Sequence, residues 1–173
     1  LHPDLIKSID WLYNKHNVNA RYYNKCKRVY PEVRVSSNGG IQEPGWWAEL
    51  AQVLQRGNGF AEFGFDGLED TNHIYRRQVK WEKCMENAES FIKAGGRAIW
   101  QFIVFDHNEH QIKDAVHLAR EMGFQSLIIR GGYYEDTDEV LFYDDNNNDY
   151  EFNHDENWIP SVKLPTNEEK REL

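Results

Sequence analysis

Asp66 and Arg76 stand ten residues apart, separated by a glycine turn at Gly67 and a polar loop. Asp66 closes an apolar run, Phe60-Ala61-Glu62-Phe63-Gly64-Phe65. A strand that ends in an acid and a glycine turn presents that acid at the C-terminal face of a β/α protein, where such folds bind ligands. The arginine adds a planar cation able to hold a carboxylate through two parallel hydrogen bonds. Three further strand ends carry comparable material: Ser36-Ser37-Asn38-Gly39-Gly40, Asp106-His107-Asn108 and Arg130-Gly131-Gly132. Glycine after a strand permits a tight turn and a close approach of backbone to ligand. The same residues also make plain turns, and at any single strand end the plain turn is the stronger reading. Two glycine turns at consecutive ends, together with Arg76, shift the balance towards a site.

Other residue groups are better explained without chemistry. Asp106, His107 and His110 have metal-ligand side chains, but a helix opened by Asn108 with surface histidines accounts for them. The run from Asp144 to Asp149 lacks the sixth-position glycine and the twelfth-position glutamate of a calcium loop. Trp46, Trp47, Trp81 and Trp100 lie at core-compatible spacing and read as packing. Cys26 and Cys84 fit neither a disulfide framework nor a metal pair and read as reduced, incidental thiols. No Ser/His/Asp order, phosphate-binding glycine loop or basic stripe stands out.

The elements that must position Asp66 and Arg76 are legible in the periodicity. Leu5, Ile6, Ile9, Leu12 and Tyr13 share one helical face, with Pro3 suited to the first turn. Val33 to Ser36 is a short strand. Trp46, Trp47, Leu50, Val53 and Leu54 make a second helix after Pro44, with Gly57 suited to its C-terminal end. Phe60 to Phe65 is the second strand. Trp81, Met85, Ala88 and Ile92 space a third helix, closed by Gly95-Gly96. Ala98 to Phe105 is nearly continuous in apolar residues, as expected for a strand buried on both faces. Asn108 and Gln111 approximate a capping box for a helix ending at Gly123, and Ser126 to Arg130 is the fourth strand. This alternation predicts an α/β chain with a parallel sheet and right-handed crossover helices. About four β/α units make half of an eight-stranded barrel, or the middle of a partial (β/α) barrel.

Composition bounds the rest. The 173 residues carry 40% hydrophobic and 14% aromatic residues, too apolar for a disordered chain and long enough to bury a core. No apolar stretch approaches the roughly 20 residues of a membrane span, and no signal peptide is visible. The net charge of −9 is local, because residues 135–156 hold ten acids and no Lys or Arg. The remaining residues sum to +1, which argues against a nucleic-acid surface. The expected division is a partial barrel over 1–134 and an acidic, irregular tail over 135–173. Within that tail, Val140 to Tyr143 suits a short strand, and Phe152, Trp158, Ile159 and Val162 suit packing back on the body. The first residue is not Met, so a trimmed or partial reading frame is expected.

Most of residues 1–130 resembles the radical S-adenosylmethionine (SAM) enzymes, in their maturase-like, SPASM-type branch. Ser37-Asn38-Gly39 is similar to their third-strand Thr-Asn-Gly. Gly64-Phe65-Asp66-Gly67 is similar to their fourth-strand Ser-x-Asp-Gly, with Arg76 matching the loop arginine ten residues on. Asn108 and Gly123-Phe124 fill the corresponding places after the fifth strand. The resemblance implies a six-stranded partial barrel of which this chain covers the second helix to the sixth strand. It also implies cofactor-binding roles for Ser37, Asn38, Gly64, Asp66 and Arg76, with Arg76 meeting the cofactor's methionine carboxylate and Asn38 and Asp66 at the pocket rim. The family serine that contacts the ribose falls at Gly64, which has no hydroxyl.

The resemblance further implies SAM and a [4Fe–4S] cluster in a full-length parent, a flavodoxin- or ferredoxin-type reductant, and hydrogen-atom abstraction from an unidentified peptide or small molecule in the cytoplasm. The Cys-xxx-Cys-xx-Cys loop that holds such a cluster is missing here, as are the glycine-rich second-strand motif and the cysteine-rich C-terminal extension. The chain alone cannot ligate the cluster and is therefore expected to be inactive, without tight binding of either cofactor. Two other readings stay open: a cluster-free binding or scaffold module of half-barrel fold, and a fragment of another β/α-barrel enzyme.

Overall fold

The computed structural model describes residues 1–22, 32–131, 141–143, 149–151 and 162–163, with side chains over 1–15 and 32–130. Its centre is a parallel sheet of four strands, β1 (Arg34–Ser37), β2 (Phe60–Gly64), β3 (Ala98–Val104) and β4 (Ser126–Gly131), adjacent in that order. The registers pair Val35 with Ala61, Ala61 with Ala98 and Trp100 with Leu127. The long helices are α1 (Leu5–Tyr22), α2 (Pro44–Leu54), α4 (Trp81–Lys93) and α5 (Ile112–Met122), and α3 is a single turn, Asn72–Tyr75. Strands paired in sequence order and joined by right-handed crossovers must have their helices on one face.

Pleating does the rest. Val35, Ala61, Phe63, Ala98, Trp100, Phe102, Leu127 and Ile129 point to the helix face and are buried. There they meet Trp47, Leu50, Ala88, Phe91, Ala115 and Ala119 in one continuous core. Phe63 is its aromatic hub, with ring centroids 5.0 Å from Trp47, 5.8 Å from Phe91 and 6.0 Å from Phe124. Trp47 and Trp100 are fully buried, as the packing reading of the tryptophans requires. On the opposite face Ser36, Glu62, Gly64, Ile99, Gln101, Ser126 and Ile128 lie side by side.

Three local expectations need correction. β3 is not buried on both faces: Ala98, Trp100, Phe102 and Val104 are buried, but Ile99, Gln101 and Ile103 are only half-buried. The apolar run misled because Ile99 and Ile103 sit on the helix-free face. Gly57 does not cap α2. Its missing side chain makes room for the ring of Tyr13 from α1, whereas Gly123 does cap α5, in the left-handed conformation at φ 89°. Asn108 and Gln111 form no capping box, since neither side chain caps a helix end; their bonds run elsewhere, as described below.

In the C-terminal part, β5 (Leu141–Tyr143) pairs antiparallel with β6 (Asp149–Glu151). β7 (Val162–Lys163) adds to β4 antiparallel, Val162 opposite Leu127. The described parts of the expected irregular tail are thus short strands. Asp144 to Asn148, the apolar positions Phe152, Trp158 and Ile159, and Cys26 lie outside the described residues. Among the described residues no helix is long and apolar enough to cross a membrane.

Candidate functional site

β2 pleats so that Glu62 and Gly64 share the helix-free face, two residues apart along the strand. Ser36 of β1 pairs with Glu62 and Gln101 of β3 pairs with Gly64. Together with Ser37 and Arg76 these residues line a cavity of about 230 Å³ at the C-terminal ends of the strands. Ser37, Gly64 and Arg76, expected at the site, are brought together there. Asn38 and Asp66, also expected, do not line it.

Asp66 is held behind the cavity. It is fully buried, and its Oδ1 accepts the Ile103 N–H at 2.7 Å. Its Oδ2 lies 2.5 Å from Arg76 Nε, a close ion pair rather than a linear hydrogen bond. The backbone is fixed as well. The Asp66 N–H donates to Asn72 Oδ1 at 2.9 Å, and the Asp66 carbonyl accepts from Asn108 Nδ2 at 3.1 Å. Burial pushes the Asp66 carboxyl pKa up, and Arg76 with the Ile103 N–H offsets only part of that. Both groups aimed at its oxygens are donors, so the surroundings are arranged for a carboxylate.

The loop that returns Arg76 to β2 has its own scaffold. Gly67 turns the chain at φ 129°, a region closed to residues with a side chain, and a Cβ there would also collide with Thr71 Oγ1. The Leu68 N–H donates to Gln111 Oε1 at 2.9 Å, Thr71 Oγ1 donates to the same oxygen, and Gln111 Nε2 donates to Asp70 at 2.7 Å. α3 then turns the chain once, and Arg76 N–H closes it on the Asn72 carbonyl at 2.9 Å. The guanidinium comes to rest on Gly64: a Cβ built there would lie 2.6 Å from Nη2 and 3.1 Å from Cζ. The hydroxyl that the resemblance would put at position 64 has no room while Arg76 holds this place. Arg77, the basic neighbour, is exposed.

Asn38 serves its own turn. Its Oδ1 accepts the Gly40 N–H and Ser37 Oγ accepts the Gly39 N–H, both at 3.1 Å. Asn108, read from the sequence as a helix start, is a buried staple between strand ends. Its Oδ1 accepts the Phe105 N–H at 2.8 Å, and its Nδ2 donates to Ile103 O at 3.0 Å as well as to Asp66 O. His107 stacks on Phe105, and burial lowers its pKa to about 4. Asp106 and His110 are exposed. Cys84 is buried, with its thiol pushed up to about 12, which removes it from nucleophilic or ligand chemistry.

Sequence reasoning passed over Glu62 and Gln101. Glu62 is 4% exposed, and Arg34 Nη2 reaches its two carboxylate oxygens at 2.6 Å each. The available signal was a polar residue inside each of two otherwise apolar strands, which marks a face the core does not claim.

The cavity can hold a small polar group. Arg76 Nη1 and Nη2 supply donors on one side, Gln101 an amide, and Ser36 and Ser37 hydroxyls. Its charges are balanced, since Arg76 is paired with Asp66 and Glu62 with Arg34. Among the described residues no group of three His, Cys, Asp or Glu side chains could hold a metal ion. No protein-family model matches the chain, and no curated protein matches it.

Proposed function

We propose that this chain is part of the catalytic barrel of a radical SAM enzyme and that the cavity beside Gly64 receives the amino-acid end of SAM. One observation carries the reading. Ser37, Gly64 and Arg76, assigned to the cofactor by motif resemblance alone, come from three separate segments and line one cavity at the strand ends. A sheet in sequence order, with its long helices on one face and Ser36, Glu62 and Gln101 among the residues of the opposite face, suits the wall of a partial barrel.

The described residues fit SAM at its carboxylate, because Arg76 keeps its two Nη groups for an anion while Asp66 takes Nε. They do not fit a [4Fe–4S] cluster. Cys84 is buried in α4 and no second thiol is described near it, so no step is derived through the cluster. In a complete enzyme, SAM supplies hydrogen-atom abstraction. This chain's share is to bind and orient the cofactor's amino-acid end and to shield it beneath the 67–77 loop.

Calorimetric titration of the 173-residue chain with S-adenosylhomocysteine tests the reading. Saturable binding that is weakened at least about tenfold by Arg76→Ala is expected, since a charge-assisted hydrogen bond contributes about 1.5–3 kcal/mol. Absence of binding heat and of any upward shift in melting midpoint sinks it. The upstream reading frame is the second check: a Cys-xxx-Cys-xx-Cys triplet is expected there, and a start codon just before Leu1 ends the enzyme reading for this polypeptide.

A further inference from the structure

We propose that Gly64, Asp66 and Arg76 form one device, an arginine seat, in which bare backbone at Gly64 lets the guanidinium lie on β2 and Asp66 turns its Nη edge to the cavity. Gly64 is not in the left-handed region that favours glycine; among the described residues the positive-φ glycines are Gly39, Gly67, Gly95 and Gly123. Backbone conformation therefore does not call for glycine at 64. At the end of β2 glycine still costs backbone entropy and forgoes a side chain, so the position carries a cost that some contact must offset. The contact present is the guanidinium, with Nη2, Cζ and Nη1 at 2.6, 3.1 and 3.6 Å from the place a Cβ would take.

Asp66 fixes the orientation. It cannot turn, because Oδ1 is held by Ile103 and its backbone by Asn72 and Asn108. With Nε against Oδ2 at 2.5 Å and Cζ 5.2 Å from the centre of the Tyr75 ring, Nη1 and Nη2 are the guanidinium's remaining edge, and Arg76 lines the cavity with Ser36, Ser37 and Gln101. The nearest acid lining the cavity, Glu62, is occupied by Arg34. A purely structural Asp66–Arg76 pair would press on an alanine at 64 just as hard, so stability reads the contact itself and ligand binding reads what the orientation is for. The seat requires glycine, and it predicts that adding a side chain there harms binding even when that side chain is a hydroxyl donor. The ligand used in the test rests on the SAM reading above; the seat itself does not.

Two measurements on the full chain decide the matter. In the first, melting midpoints are compared for Gly64→Ala, Arg76→Ala and the double variant, with Arg76→Gln as a second background. Gly64→Ala should lower the midpoint of the parent chain but leave it unchanged or raised where Arg76 has been shortened. Equal loss in all backgrounds overturns the seat. In the second, Gly64→Ser should weaken S-adenosylhomocysteine at least tenfold. It should change 5′-methylthioadenosine, which lacks the amino-acid carboxylate, less than twofold. Unchanged or tighter S-adenosylhomocysteine binding by Gly64→Ser overturns the seat's ligand role while leaving the SAM reading standing. If the parent chain binds neither nucleoside, the SAM reading falls, and the stability comparison alone upholds or overturns the seat.

Discussion

The ends of β1 and β2 are built from similar residues and work in opposite ways. After β1, Ser37 and Asn38 each accept a backbone N–H two residues on, so both side chains shape their own turn, although the Ser37 hydroxyl retains its donor. After β2, the Asp66 carboxylate bonds a backbone N–H 37 residues away and pairs with a side chain ten residues on, and its carbonyl is bonded by Asn108 from 42 residues away. A local turn former makes a loop. A carboxylate held by distant partners can instead fix a second side chain, here Arg76, in one orientation. The difference lies in burial: Asn38 is half-buried, whereas Asp66 is completely enclosed, where an ion must be paired and hydrogen-bonded to be tolerated.

The contrast can be broken by substitution. Asp66→Ala should have the largest effect, a loss of about 4 kcal/mol in urea unfolding, because it removes the enclosed partner of Arg76 and the acceptor of the Ile103 N–H. A loss under about 1 kcal/mol would place the β2 end in the same class as the β1 end. Asn108→Ala comes next, at about 3 kcal/mol, since it removes two buried hydrogen bonds and one partly buried one, including the bond that joins the β3 end to Asp66 at the β2 end. Asn38→Ala removes one half-buried bond and should cost about 1 kcal/mol. A cost as large as that of Asn108→Ala would erase the distinction between local and long-range staples.

The β3 end gives a pH signature. Burial holds His107 neutral in the fold, with its pKa lowered to about 4, whereas an unfolded histidine titrates near ~6.5. The unfolded chain therefore takes up a proton in that window that the fold refuses. Stability should fall as pH drops from about 6.5 to 4 and lose no more on this account below that. Melting midpoints at pH 7, 5.5 and 4.5 should decline less steeply for His107→Gln, and an identical slope would mean that His107 does not resist protonation.

The order of strands and helices was legible because each element has a local signature: a 3.6-residue period in α1, α2, α4 and α5, and short apolar runs bounded by turn residues in the strands. Gly123 as a helix stop and the packing role of Trp47 and Trp100 were legible for the same reason. The single-turn α3 was not, since four residues are too few to show a period. The role of Asn108 was misread because a helix cap and a strand-to-strand staple use the same amide; only its neighbours in space distinguish them.

The sequence by itself determined an α/β chain with four consecutive β/α units, and it marked Asp66, Gly67 and Arg76 as worth attention. Local periodicity and turn chemistry act over a few residues, and that is the range a sequence displays directly. The tertiary structure alone decided which polar groups meet. It placed Glu62 and Gln101 on the face the core leaves open. It enclosed Asp66 behind the cavity and laid Arg76 across Gly64. Those relations join residues up to 42 positions apart, and they exist only once the sheet has registered and the helices have claimed its other face.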